Sequence, residues 1–157
     1  MTVVDAAAMR GLKRYHATRA LLTSVAALPF LPLLLCRVPG LTPIAVALQG
    51  WFAFQCERDP HRTLHWLGHA LPVCARCLGI YLGLGLGAGI MRPALGASGL
   101  RLWIVLAAAL MGLDVATEAL GLRPAWAPLR LLTGLCLAYP VGVALVSSSR
   151  ARSAARG

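Results

Sequence analysis

The side chains able to do chemistry gather in one stretch. Between Cys56 and Cys77 lie three cysteines (Cys56, Cys74 and Cys77) and three histidines (His61, His65 and His69), set among Glu57, Arg58, Asp59 and Arg62. Thiolate sulfur and imidazole nitrogen are the ligands that zinc takes in tetrahedral sets. Cys74-Ala75-Arg76-Cys77 is a Cys-x-x-Cys directly after Pro72, where an apolar run begins, so both sulfurs are expected near the first turn of a helix. The amides at such a helix start, and the adjacent Arg76, favour thiolate over thiol. Asp59-Pro60 reads as an N-cap followed by proline at the first helical position, which predicts a short helix from Pro60 to about Ala70. On it His61, His65 and His69 would share one face, within reach of a common ion or of the three sulfurs.

Three chemistries fit these residues. The leading one is metal binding by Cys56, Cys74 and Cys77, with His65 or His61 in support; zinc comes first by ligand type and copper next. The second is thiol redox exchange, in which Cys74 and Cys77 cycle and Cys56 resolves. In the third the cysteines are inert, the histidines are solvated, and the loop merely clamps its surroundings. Cys36 and Cys136 stand apart in apolar runs, where a lone cysteine is expected to be a small buried hydrophobe.

A second set of polar residues is out of place for the opposite reason. Asp114 and Glu118 lie four apart within an apolar run and so project from one helix face. An ionised side chain near the bilayer centre costs about 2.5–3.5 kcal/mol, so two on one face call for partners or a water-lined path. Arg123 and Arg130 are the candidate partners. Interfacial ion pairs that fix helix register are one reading. A proton or ion relay, or an acidic lining beneath the cysteines, is the other.

The composition explains why these residues stand out. Of 157 residues 59% are apolar and 13% charged, and the mean hydropathy is +0.73. A soluble domain carries about 25% charged residues, so neither a soluble globule nor a disordered chain fits. The formal net charge of +10 does not signal nucleic acid. Arg10, Lys13, Arg14 and Arg19 precede the first apolar run, and Arg150, Arg152 and Arg156 follow the last. That placement reads as topology determinants and lipid-headgroup contacts.

The apolar runs are the elements that must hold the polar island. Ala20 to Cys36, interrupted by Pro29 and Pro32, has no small-residue cleavage pattern and reads as a retained span. Pro43 to Phe54 carries Gln49 and is short for roughly 30 Å of hydrocarbon, so it is expected to be interfacial or re-entrant. Val73 to Met91 contains Gly79, Gly83 and Gly87 at four-residue spacing, a stripe expected to admit close approach of a second helix. Leu100 to Leu120 and Pro128 to Val146 are long enough to cross, and Trp103 and Trp126 sit near their ends, where indoles settle at the headgroups. The 15 basic residues divide identically between the two faces under four or five spans, so the positive-inside rule does not choose. The short second run favours four, with both basic ends cytoplasmic and the island outside.

At the level of motif, Pro72-Val73-Cys74-Ala75-Arg76-Cys77-Leu78-Gly79-Ile80-Tyr81-Leu82-Gly83, preceded by Cys56 and Pro60-x-Arg62, resembles a family of small prokaryotic membrane proteins catalogued as a domain of unknown function. The resemblance runs from about Cys56 to Gly134. Its later part matches Asp114, Gly121, Arg123, Arg130, Thr133 and Gly134, with Glu118 where the family carries glutamine. The family's upstream cysteine is followed by His-Gln; Glu57-Arg58 stands here, so no ligand role passes to that position. The resemblance implies a membrane location and a shared site that includes Arg62, Arg76, Tyr81, Asp114, Glu118, Arg123 and Arg130. It implies no reaction.

The sequence thus predicts an all-α integral membrane bundle of four or five transmembrane helices plus a short interfacial helix. A basic cytoplasmic segment (1–19) precedes a single membrane domain (20–147) that carries the cysteine and histidine island (56–77), and a basic tail (148–157) follows. The expected setting is the plasma membrane of a prokaryote, with the lipid bilayer as partner. No nucleophile–base–oxyanion set, cofactor loop or nucleotide motif assigns an enzyme activity.

Overall fold

A computed structural model of the chain describes residues 3–56, 59, 62–91 and 95–154. Six α-helices and one β-hairpin follow in chain order. The first helix, α1 (Val3–Val25), leads through a 3-10 turn (Leu28–Phe30) into the short α2 (Leu31–Leu35). Pro29 and Pro32 lie at the starts of these two pieces, where a missing N–H costs nothing, and both are buried. The apolar stretch from Gly11 to Leu35 is therefore one candidate membrane span that begins earlier than the composition suggested.

Helix α3 (Thr42–Gln55) has 14 residues, which at 1.5 Å per residue reach about 21 Å, short of a bilayer core. Helix α4 (Ala75–Ile90) is a shorter apolar helix of 16 residues. The long helices α5 (Ala97–Ala119) and α6 (Ala127–Ala154) supply the other two stretches long and apolar enough to cross a membrane. The fold is thus mostly helical with three such stretches, and a two-stranded sheet is its one small β element among the described residues.

Helices α4 and α6 form the frame. Gly79, Gly83 and Gly87 lie directly against backbone carbonyls of α6 at Leu131, Leu135 and Tyr139, while Gly134 and Gly142 of α6 meet the carbonyls of Arg76 and Leu84 in return. A methyl group at any of these positions would overlap the opposing backbone. The expected small-residue stripe is therefore reciprocal, with both helices cut down at the seam. Helix α1 closes the other side of α4, where Gly85 faces the carbonyls of Leu22 and Thr23 and, just past the helix end, Ala26.

The polar island departs from the sequence reading. In place of a helix from Pro60 to Ala70, strands β1 (Thr63–Trp66) and β2 (His69–Cys74) pair antiparallel, His65 opposite Ala70 and Trp66 opposite His69. Leu67 and Gly68 form the two-residue turn, with φ of 53° and 80°. Left-handed backbone at both positions matches the right-handed twist of a hairpin, and only Gly68 adopts it without steric cost. For Leu67 the cost is on the order of 1–2 kcal/mol. The helix is overruled by burial: Leu71 and Val73 of β2 enter a core cluster with Phe52 and Leu78. The latter part of β2, Leu71 to Cys74, is buried throughout, and the hairpin carries it there in extended form. The register shifts between Thr63 and His65, opposite the part of β2 that holds Pro72, which has no N–H to offer a ladder.

A candidate thiol cluster braced by an ion network

Three elements end at one place. Cys56 caps the C-terminus of α3, Cys74 ends β2 and is the N-cap of α4, and Cys77 sits in the first turn of α4. Their sulfur atoms all lie within 4.8 Å of one another, and all five cysteines of the chain are thiols. Cys56 and Cys74 are buried and Cys77 is partly exposed. The backbone N–H of Cys74 donates to Cys56 Sγ at 3.2 Å, which ties the end of α3 to the start of α4.

The cluster is electrostatically uneven. The Cys74 thiol is pulled down to about 5, chiefly because the Cys77 thiol donates a hydrogen bond to its sulfur. The first-turn N–H groups of Cys77 and Arg76 act in the same direction, although Cys74 forms no full side-chain cap. Burial, by contrast, pushes the Cys56 thiol up. One anionic sulfur beside two neutral thiols is an arrangement that a cation or a disulfide partner could complete.

The histidines do not join. His65 and His69 lie on exposed positions of the hairpin, and the group of close ligand atoms among the described residues comprises the three cysteines. His61 lies outside the described residues. The shared histidine face required the helix that the hairpin replaces. Of the outlying thiols, Cys136 is partly buried, whereas Cys36, expected to be buried, is exposed because it caps the end of α2.

Arg76, between Cys74 and Cys77, connects the cluster to the charged residues of α5. Its Nη2 donates to Asp114 Oδ2 at 2.7 Å and lies 3.7 Å from Glu118. Arg123 also contacts the Asp114 carboxylate, and it donates to the Asp114 carbonyl and to Thr117 Oγ1, each at 3.1 Å. Arg130 grips Glu118 with two nitrogens, Nε at 2.8 Å from Oε2 and Nη2 on Oε1. Arg62, just before the hairpin, reaches Glu118 at 3.2 Å and Asp59 at 3.1 Å. The Asp114 side chain is 2% exposed, so its charge is held by arginine and not by water.

The partners Arg123 and Arg130 match the sequence reading. Arg76 as a partner of Asp114 does not follow from it, since spacing cannot show that α4 and α5 meet there. Tyr81, four residues after Cys77, donates its hydroxyl to Gln55 Oε1 at 2.8 Å and packs edge-on against Phe52. Gln55 precedes Cys56, so this contact bears on the placement of α3's end; no motif marked Gln55.

A bundle of apolar helices carrying a thiol cluster at its polar end defines a membrane protein class, and comparison with known proteins agrees. Residues 56–144 match the DUF2085 family, described as predicted membrane protein, and the chain belongs to that family. It is 29% identical over 102 residues to an uncharacterized protein of Methanocaldococcus jannaschii, covering 62% of this chain and 65% of the relative. It is 56% identical over 32 residues to an uncharacterized protein of Methanothermobacter thermautotrophicus, covering 20% and 29% respectively. The match thus spans less than two thirds of the length of either relative. No solved structure matches.

Proposed function

We propose that the protein is a plasma-membrane protein that binds a transition metal, zinc by preference, through Cys56, Cys74 and Cys77. The observation that carries this reading is the convergence of three sulfurs within 4.8 Å from the ends of three separate elements. Tetrahedral zinc with bonds of about 2.3 Å sets its sulfur ligands about 3.8 Å apart, a small contraction from that spacing. The Cys74 thiolate is the first ligand, and metal binding would displace the protons of the other two. Three thiolates around a dication leave one negative charge, which the first-turn N–H groups of Arg76 and Cys77 at the start of α4 face. Copper is the next candidate on ligand softness.

The test is metal analysis of detergent-purified protein beside a Cys74→Ser variant. The wild type should hold about one zinc per chain, three thiolates leaving the fourth tetrahedral position to water, and the variant far less. Equal and negligible metal in both would overturn the reading.

A second reading, thiol–disulfide exchange, is favoured by the lowered Cys74 thiol beside a proton-donating Cys77. Here the Cys74 thiolate attacks a partner disulfide, and Cys77, losing its proton, then displaces the partner's second sulfur; the partner leaves as a dithiol. Alkylation with and without reductant separates the two readings by mass. A metal site protects all three thiols until chelator is added, whereas exchange yields a reversible loss of two.

For topology we favour α4 as a fourth crossing, with α3 interfacial, a basic segment 1–19 and a tail 148–157 on the cytoplasmic face, and one membrane domain over 20–147. The 14-residue length of α3, about 21 Å and short of a bilayer core, supports it.

A further inference from the structure

The hairpin turn contains a choice that the protein itself does not reward. A two-residue turn of this kind is suited to Asn, Asp or Gly at both positions. Gly68 conforms, but its neighbour is a leucine at φ 53°, a backbone region that bulky residues rarely adopt. The side chain of Leu67 gains little burial in exchange, being 60% exposed. Backbone strain spent on an apolar side chain that points away from the core indicates a compensating contact outside the chain.

Its surroundings identify the kind of contact. Trp66, the preceding residue, is 37% exposed, and its ring meets that of Phe30 edge-on at 5.0 Å. Phe30 belongs to the Gly11–Leu35 stretch, which is apolar and long enough to cross a membrane, and Leu31 and Leu34 after it are exposed as well. The tip is thus pinned by an aromatic contact to a segment apolar and long enough to cross a membrane, and Leu31, Leu34, Trp66 and Leu67 all carry exposed apolar surface. His65 and His69 lie at exposed positions on either side of the turn. An indole with polar neighbours is the chemistry found at the boundary between acyl chains and headgroups.

We infer that Trp66 and Leu67 form a lipid-docking tip that rests in the interfacial layer of the bilayer beside the end of the first membrane helix. This contact is independent of what the cysteines bind.

Fluorescence quenching in vesicles of phosphatidylcholine brominated near the headgroup tests it. The chain has four tryptophans, so the contribution of Trp66 is the difference between wild type and Trp66→Phe. That difference should fall by about half in brominated lipid, as for an indole at the interface, and resist aqueous iodide. Leu67→Asp should shift it toward iodide. A Trp66 component quenched by iodide but not by brominated lipid overturns the inference. So does one shielded from both in proportion to protein copies per vesicle, which would mean that a second chain covers the tip. If Trp66→Phe does not fold, hydroxyl-radical footprinting of wild type in nanodiscs replaces it. Leu67 should then oxidise several-fold more slowly than in the protease-released peptide, and equal rates overturn the inference.

Discussion

Cys74 differs from its two neighbours by position more than by chemistry. As N-cap of α4 it faces the helix's first amides, and Cys77, one turn on, donates to its sulfur. A thiol lowered to about 5 is a thiolate above that pH and is protonated as the pH falls through it. In chelator-treated protein, alkylation of Cys74 should hold its full thiolate fraction from neutral pH down to about 6 and be halved near 5, read by mass spectrometry of the labelled peptide. Cys56, raised by burial, should label only at higher pH than a free thiol. Asp114 invites a different experiment. Asp114→Asn leaves Arg76 and Arg123 without their shared, buried carboxylate. The expected loss is about 3 kcal/mol, visible as a lower melting temperature in micelles, because breaking a buried pair costs more than the pair itself contributes. At this scale the sequence was informative. Cys-x-x-Cys after proline marks a helix start whatever surrounds it, and two carboxylates four apart in an apolar run require cations. It could not indicate Gln55 or the Asp114 contact of Arg76, because both depend on where separate helices cross.

Among elements, α4 and α6 fit because glycines on each receive the other's backbone. Gly83→Val should force the helices apart and cost about 1–3 kcal/mol, as overpacking does, again measured by thermal denaturation in detergent. A substitution such as Gly112→Ala, on α5 where the space is open, should leave the midpoint unchanged or raise it. The glycine stripe was legible since it has a period, and helices keep period. The hairpin was not legible. Asp59-Pro60 and histidines four apart imitate a helix, and the turn Leu67-Gly68 lacks the Asn-Gly or Asp-Gly pair that signals a hairpin. What decides for strands is the burial of Leu71 and Val73 beside Phe52 and Leu78, a contact between distant parts of the chain.

Over the whole molecule, charge and apolar surface are separated along the chain. Eleven of the 15 basic residues lie towards its two ends or in the network of Arg62, Arg76, Arg123 and Arg130, while α5 beyond Arg101 carries exposed leucine and valine such as Leu102, Val105, Leu106 and Leu113. An exposed apolar belt of this kind is what lipid covers. Under the proposed topology, in which α4 crosses and α3 lies at the surface, both ends of the chain should face the cytoplasm. Fluorescent-protein fusions at either end should then both be bright, and a dark fusion at one end would favour five crossings. The network and the thiol cluster meet at Arg76, so the cysteine pair, the start of α4 and the contact with α5 share one residue. X-ray absorption at the zinc edge, on protein loaded with one equivalent of zinc, examines that meeting point. The account predicts a shell of about three sulfurs at about 2.3 Å, lost in Cys74→Ser. A shell of oxygen and nitrogen alone, unchanged by the substitution, would contradict it.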